Sequence, residues 1–373
     1  MAQVLPAGKR VIVSEYGETP LEALDSFVKL ESTEPFDTDS VGRNEVLVHV
    51  RAAQVGWVDL LMTSGQYQHM PDPPYVPGLE YAGLVAFVGA DVRVEGRPLE
   101  TGERVLVDPF LAGPRSHGKY RRSGGFATHA LVPEEAVIRV PPNLSLEEAC
   151  NLLGNYETAY HCLVARGRLR VGETVLVNGA TGATGLAAVR IAKLLGATVI
   201  ATGRSHDKLQ VVREQGADHV IALGEAEGGP RSLRDQVKAI VPGGVDVVYD
   251  GVGGEISQES LRCVAFGARF LVVGWASTPF VAKGKGGRGA PNANVLPTNL
   301  VLMKGLDVLG CPTAISTVHD PSIRAERLAK VLAWASEGKI RPLVARSFPL
   351  ESYDEAMRAK WNNAFTGGVV LVP

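Results

Sequence analysis

The run Val175-Leu176-Val177-Asn178-Gly179-Ala180-Thr181-Gly182-Ala183-Thr184-Gly185, continued by Leu186-Ala187-Ala188-Val189-Arg190-Ile191-Ala192-Lys193, decides how the rest of the chain is read. A β-branched apolar stretch passes into small residues, and apolar positions then recur at helical spacing. That is the sequence form of strand, tight turn and helix. Gly182 would let the backbone approach a pyrophosphate, and Gly185 would let the helix pack closely on the strand. The N–H groups at the helix start would face phosphate charge, which makes Thr181, Gly182, Ala183 and Thr184 candidate cofactor contacts. The first glycine of the usual dinucleotide fingerprint is replaced by Ala180. A second apolar strand, Thr198-Val199-Ile200-Ala201-Thr202, follows at about the twenty-residue interval of that fingerprint. The competing reading is a glycine-rich turn in an α/β domain that holds no nucleotide.

The 373 residues give room for two domains with full cores. With 45% hydrophobic and 21% charged residues and a net charge of −2, no basic excess points to nucleic acid. Neither terminus carries a charged tail suited to a membrane surface. No apolar run is long enough to span a bilayer, and the opening residues lack a signal-peptide core. The expected location is cytoplasmic. The four cysteines, Cys150, Cys162, Cys263 and Cys311, are scattered singly, which argues against clustered-thiolate zinc and against a disulfide framework. Each sits in or beside an apolar stretch, as small core thiols do.

Up to about residue 144 the chain is β-rich, with alternating strands at Arg10–Ser14 and Glu45–Arg51, an acidic loop at Glu31–Gly42, and further strands at Glu103–Val107 and Gly125–Val132. Asp59 is expected to cap a short helix starting at Leu60. From about Ser145 the rhythm changes. Helices are expected at Leu146–Leu153 and Thr158–Arg166, followed by strands and helices in alternation up to a last strand at Leu306–Gly310. This pattern predicts a doubly wound parallel sheet. The tail returns to helix and short strands. The expected division is 1–144, 145–312 and 313–373, the last segment returning to the first domain. Lys283–Arg288 lies in a glycine-rich insertion.

Pro77-Gly78-Leu79-Glu80-Tyr81-Ala82-Gly83, Gly125-Phe126-Ala127, Thr158-Ala159-Tyr160, the fingerprint, Asp250-Gly251-Val252-Gly253-Gly254 and Asn299-Leu300-Val301-Leu302-Met303-Lys304 are shared landmarks. Through them nearly the whole chain resembles the medium-chain dehydrogenase/reductase superfamily, in its zinc-lacking quinone oxidoreductase and enoyl reductase branch. The resemblance implies an α/β protein with a GroES-like β-rich catalytic domain and a Rossmann domain. Zinc-dependent members use a cysteine in the loop occupied here by Val55-Gly56-Trp57 and a histidine where Leu79 stands. Gly and Leu supply no ligand, and Glu80 alone is no metal site, so no metal is expected.

The cofactor follows from the end of the second strand. NAD-binding folds place an acid there, whereas this chain reads Thr202-Gly203-Arg204-Ser205-His206, with Lys208 one turn on. A guanidinium can hold a 2′-phosphate bidentately, so Gly203, Arg204, Ser205 and Lys208 point to NADPH. Otherwise Arg204 and Lys208 are solvated charges at a helix start. Lys119, Arg121 and Arg122 are other possible phosphate partners.

Without a metal Lewis acid, reduction of an activated C=C bond or a quinone is the chemistry expected. The resemblance places Tyr67 toward the substrate, where a phenol would donate to the developing oxyanion or pass on a proton. The alternative for Tyr67 is packing beside the proline-rich loop. Trp57 and Trp275 would line the substrate pocket, with Trp57 a core residue in the competing reading. The branch often carries Asn where Gly56 stands, which removes a polar group from the pocket. Thr158, Val252, Gly274, Trp275 and Asn299 would surround the nicotinamide. Thr158 as a helix cap or packing residue, and the glycine groups as strand-end turns, are the alternatives. A 2-enoyl thioester reductase, with Lys283–Arg288 meeting a coenzyme A phosphate, and a weakly catalytic NADPH-binding partner protein remain open beside the leading reading. By resemblance the chain is a homodimer acting on a small-molecule substrate.

Overall fold

The computed structural model describes residues 4–223, 232–278 and 293–373. The Lys283–Arg288 stretch lies outside the described residues. The chain forms two compact units. One takes in the described residues up to Asn151 and from Val344 on, and the other those between Leu152 and Leu343.

The first unit is built on the strand Glu45–Gln54, whose run Val46-Leu47-Val48 and then Val50 favours extended backbone. Its sheet has seven strands. Six lie in the order Val137–Arg139, Arg104–Val107, Tyr81–Val88, Glu45–Gln54, Gly368–Val372, Val344–Pro349, and His129–Pro133 also pairs with Glu45–Gln54. The alternation expected for Glu45–Arg51 holds over its second half, where half-buried His49 and exposed Arg51 flank buried Val50, and gives way to continuous burial over Glu45–Val48. Within that run only Glu45–Val48 is covered on both faces, so only there does the strand lack a solvent side to alternate toward.

The second unit holds a six-stranded, all-parallel sheet in the order His219–Ala222, Thr198–Gly203, Thr174–Asn178, Val245–Asp250, Val264–Val272, Asp307–Gly310. In chain order this is 3-2-1-4-5-6, the doubly wound arrangement whose ligand crevice lies beyond the carboxyl ends of the strands. Every residue of the central strand Thr174–Asn178 is buried.

Two expectations are corrected. The helix expected over Leu146–Leu153 stops at Ala149 and a new one runs Leu153–Tyr160, followed by a π-type turn over His161–Arg166. Ser145 and Glu148 open the first helix with a capping box. Asn151 then turns its amide back onto the Glu147 carbonyl at 2.9 Å, a local bond that competes with continued helix. Thr158 consequently stands in a helix interior and caps nothing.

The return to the first unit begins at Val344, whereas the sequence reading put it at 313. The helices Thr313–His319 and Ser322–Ser336 stay with the second unit because of one buried carboxylate. Glu157 accepts from Arg324 Nε at 2.9 Å, Arg324 Nη2 at 2.8 Å and Arg327 Nε at 2.8 Å. One helical turn separates the two arginines, so both reach the same group.

Candidate functional site

The fingerprint folds as its spacing demands. After the strand Thr174–Asn178 the chain turns at Gly179, and Gly182 opens the helix Ala183–Leu194 with no side chain capping it. A Cβ at Gly182 would meet only the Gly179 oxygen at 3.6 Å, so a phosphate can come close to the backbone there. At Gly185 the space is closed. A Cβ would stand 2.4 Å from the Gly179 oxygen and 2.8 Å from Ala180 Cα, and only glycine lets the helix start press onto the turn. The Thr184 hydroxyl donates to Asn155 Oδ1 at 2.9 Å, which leaves its backbone N–H as the group for a ligand. Thr181 is buried.

At the end of the second strand no carboxylate stands. A Cβ at Gly203 would meet Leu209 and Thr181 side-chain carbons at 3.1 Å. Arg204 is exposed and has no hydrogen bond or ion pair among the described residues. Ser205 caps the helix His206–Glu214, accepting from Lys208 N. Burial, and then the Arg204 charge, hold the Lys208 ammonium below its ordinary range, so two cations face the same corner. The other phosphate candidates are partly spoken for. Lys119 Nζ is paired with the Glu45 carboxylate, and Arg121 Nη2 donates to the Met70 carbonyl at 2.8 Å.

The sequence reading missed the network that fixes the next two loops. Asp250, fully buried at a strand end, accepts from Val252 N at 3.1 Å, Gly253 N at 3.3 Å and the Ser257 hydroxyl. Asn178 Nδ2 reaches Asp250 at 3.3 Å and Ser260 Oγ at 2.9 Å, and Thr202 donates to Asn178 Oδ1 at 3.1 Å. Ser277 N donates to the Val252 carbonyl at 2.8 Å, tying the loop of Gly274 and Trp275 to the loop of Val252. Trp275 is 46% exposed. Asn299 lies exposed in the first turn of the helix Thr298–Lys304. An acid closing an apolar strand was the available signal for this network.

In the first unit the helix begins at Trp57, with Gly56 as its N-cap, so Asp59 is its third residue and not a cap before Leu60. Its role is wider than capping. Asp59 Oδ2 accepts from Gly56 N at 2.9 Å, and Oδ1 accepts from Gly78 N and Leu79 N at 3.0 Å each. One carboxyl thus pins both loops where the zinc enzymes keep metal ligands. Burial pushes its pKa up to about 6 against the pull of those three N–H groups and of Arg115. Trp57 is half-buried and stacked on Trp361, with centroids 5.1 Å apart and planes 4° from parallel. Tyr67 is half-buried against the core, and its hydroxyl makes no hydrogen bond among the described residues. Gly56 and Leu79 offer no ligand, and no group of three or more His, Cys, Asp or Glu among the described residues could hold a metal. None of their helices is long and apolar enough to cross a membrane.

Comparison with known proteins agrees with this architecture. Residues 42–142 match the alcohol dehydrogenase GroES-like domain, and residues 183–321 match the family described as zinc-binding dehydrogenase. A quinone oxidoreductase-like protein 2 homolog from Nematostella vectensis is 32% identical over 339 residues, spanning 90% of this chain and 84% of that protein. A solved probable oxidoreductase from Mycobacterium abscessus is 29% identical with a TM-score of 0.77, covering 98% of this chain and 100% of that one. A mycobacterial structure described as complexed with NADPH shares the fold, at 24% identity and a TM-score of 0.75 over 98% of this chain and 100% of that one. The parallel sheet with its glycine-built phosphate turn, the β-rich unit and these relatives together show that the chain belongs to the medium-chain dehydrogenase/reductase superfamily, in its quinone oxidoreductase branch.

Proposed function

We propose that this oxidoreductase uses NADPH, without zinc, to reduce quinones or α,β-unsaturated carbonyl compounds. Arg204 carries the reading. An exposed guanidinium with no partner among the described residues, beside Lys208 and without a carboxylate, suits a 2′-phosphate and not a free ribose diol. The open backbone at Gly182 and the uncapped helix behind it fit the pyrophosphate.

When bound, NADPH supplies a hydride to the quinone or to the carbon β to a carbonyl. The chain's own part is positioning and charge. Asp250 holds the Val252 loop, and through Ser277 the Trp275 loop, in the shape that receives the nicotinamide, with Thr158 and Asn299 as its further contacts. The Tyr67 hydroxyl, with no hydrogen bond among the described residues, donates to the oxygen where negative charge develops. Trp57, half-buried in the first unit, supplies aromatic surface to the substrate.

The test is NADPH oxidation with 1,4-benzoquinone, 3-penten-2-one and crotonyl-CoA, with zinc measured by elemental analysis. Turnover of the first two by zinc-free protein supports the reading. Turnover of crotonyl-CoA alone favours the thioester reductase, and binding without turnover favours the weakly catalytic partner protein. Arg204→Ala should cost about ten- to a hundredfold in NADPH affinity, as loss of a charged hydrogen bond does, while sparing NADH. An unchanged preference for NADPH rejects the phosphate assignment.

The same reading includes a homodimer. Among the described residues the edge strand Asp307–Gly310 pairs on one side only, and Phe266, Leu302 and Met303 are 84%, 82% and 72% exposed. Unpaired strand edges and exposed large apolar side chains are what a second copy covers.

A further inference from the structure

Two loops of the first unit meet around the segment that carries Tyr67. One runs from Ser64 to Asp72 and the other from Asp108 to Arg122. Arg121 joins them through its bond to the Met70 carbonyl, and the His69 and His117 rings meet edge-on with centroids 6.3 Å apart. Among the described residues three nitrogens here are buried without a hydrogen-bond partner: His69 Nε2, Arg115 Nε and Arg121 Nε.

Arg115 is the most anomalous of them. It is half-buried, and no carboxylate lies within ion-pair distance of it among the described residues. Its guanidinium rests on the face of Phe110, 5.3 Å from the ring centre. Two buried guanidinium groups among the described residues, Arg324 and Arg327, are by contrast paired with Glu157. Asp59 feels the Arg115 charge, but its oxygens are already committed to Gly56, Gly78 and Leu79. His69 is held below the ordinary histidine range by burial, then by His117 and Arg115, which places these three groups within each other's field. A partly desolvated guanidinium with a buried N–H unmet, and no carboxylate beside it, among the described residues is an arrangement that an incoming anion completes.

We propose that Arg115, assisted by His69, binds a carboxylate on the substrate, so that the preferred substrates are α,β-unsaturated carbonyl compounds bearing an acidic group. The inference rests on the reductase reading and deepens it. Arg115 acts on binding and orientation, and Tyr67 remains the group at the reacting oxygen. Placing the acid at Arg115 fixes one end of the substrate while the alkene lies along the Tyr67 segment.

The experiment compares trans-4-oxo-2-pentenoate with its neutral counterpart 3-penten-2-one, using NADPH as donor. The expected kcat/KM favours the acid by about tenfold or more, and Arg115→Gln brings the ratio close to one. Arg115→Lys, which keeps the charge but loses the planar fork, keeps part of the preference. Binding of the unreactive pair 4-oxopentanoate and 2-pentanone to the wild-type protein is measured by calorimetry in parallel. Tighter binding of the acid, weakened about ten- to a hundredfold in Arg115→Gln, supports the anion site even if neither alkene is turned over. In that case the reductase reading fails and the site stands. Equal turnover of both alkenes, with acid binding unaffected by either substitution, overturns the inference and leaves the reductase reading intact.

Discussion

Replacing Asp59 by asparagine tests both the buried carboxyl and the loops it holds. In the folded protein the group keeps its proton up to about pH 6, against an ordinary value of 3.8. Between those values the folded chain binds a proton that the unfolded chain has released, so stability falls as pH rises through that window and stays lower above it. A shift of about two units corresponds to about 3 kcal/mol at 1.36 kcal/mol per unit. The amide introduced by Asp59→Asn does not titrate. It also puts an N–H donor against one of the three backbone N–H groups, most directly that of Gly56, at a cost of about 1–3 kcal/mol that does not vary with pH. The stability advantage of the wild type over Asp59→Asn should therefore shrink by about 3 kcal/mol between about pH 4 and about pH 7. Urea unfolding followed by the near-ultraviolet circular dichroism of the Trp57–Trp361 stack reads this within the unit concerned. Parallel pH profiles for the two proteins would refute the reasoning.

Gly185→Val drives a side chain into the Gly179 oxygen, so NADPH affinity should fall about tenfold or more and stability by about 1–3 kcal/mol; an unaltered fluorescence titration with NADPH would count against the close approach. Glu157→Gln leaves two buried guanidinium groups without their charge partner. A loss of about 3–5 kcal/mol is expected, with faster hydrogen exchange along Ser322–Ser336, and native protection there would contradict it. If the proposed homodimer forms through the edge Asp307–Gly310, Val308→Lys should give monomer in analytical ultracentrifugation, and an unchanged sedimentation coefficient would place the interface elsewhere.

The nucleotide unit was legible because its signals are local. Val175–Lys193 contains strand, turn and helix in one run, and the register Asn178 to Asp250 completes what the spacing announces. Gly182 and Gly185 do different jobs, one open and one closed, as their places in the motif require. The break at Cys150 was not legible, because it depends on Asn151 folding back onto Glu147 and packing beside Gly368, far away in the chain. Nor could the sequence assign Thr313–His319 and Ser322–Ser336 to the second unit. Their attachment is a contact between Glu157 and two arginines more than a hundred residues on. The helix Pro20–Ser26 was announced by Thr19, Pro20 and Glu22 but lay in a stretch dominated by strand signals. At the candidate site the missing zinc ligands and Arg204 are matters of residue identity and were readable. That no carboxylate among the described residues pairs with Arg115 depends on which loops meet, and only the structure shows that.

The strand Glu45–Gln54 is flanked on one edge by Gly368–Val372, which in turn carries Val344–Pro349. The part of the first unit up to Asn151 is therefore made before the strands Val344–Pro349 and Gly368–Val372 that extend its sheet, while the second unit can collapse in between as an inserted guest. Until the last strand arrives, the Gln54 end of that strand offers an open backbone edge to any neighbour, which makes nascent chains truncated before Gly368 the form most exposed to aggregation. Pairing of Gly368–Val372 with Ala53 and Gln54 is what closes that edge.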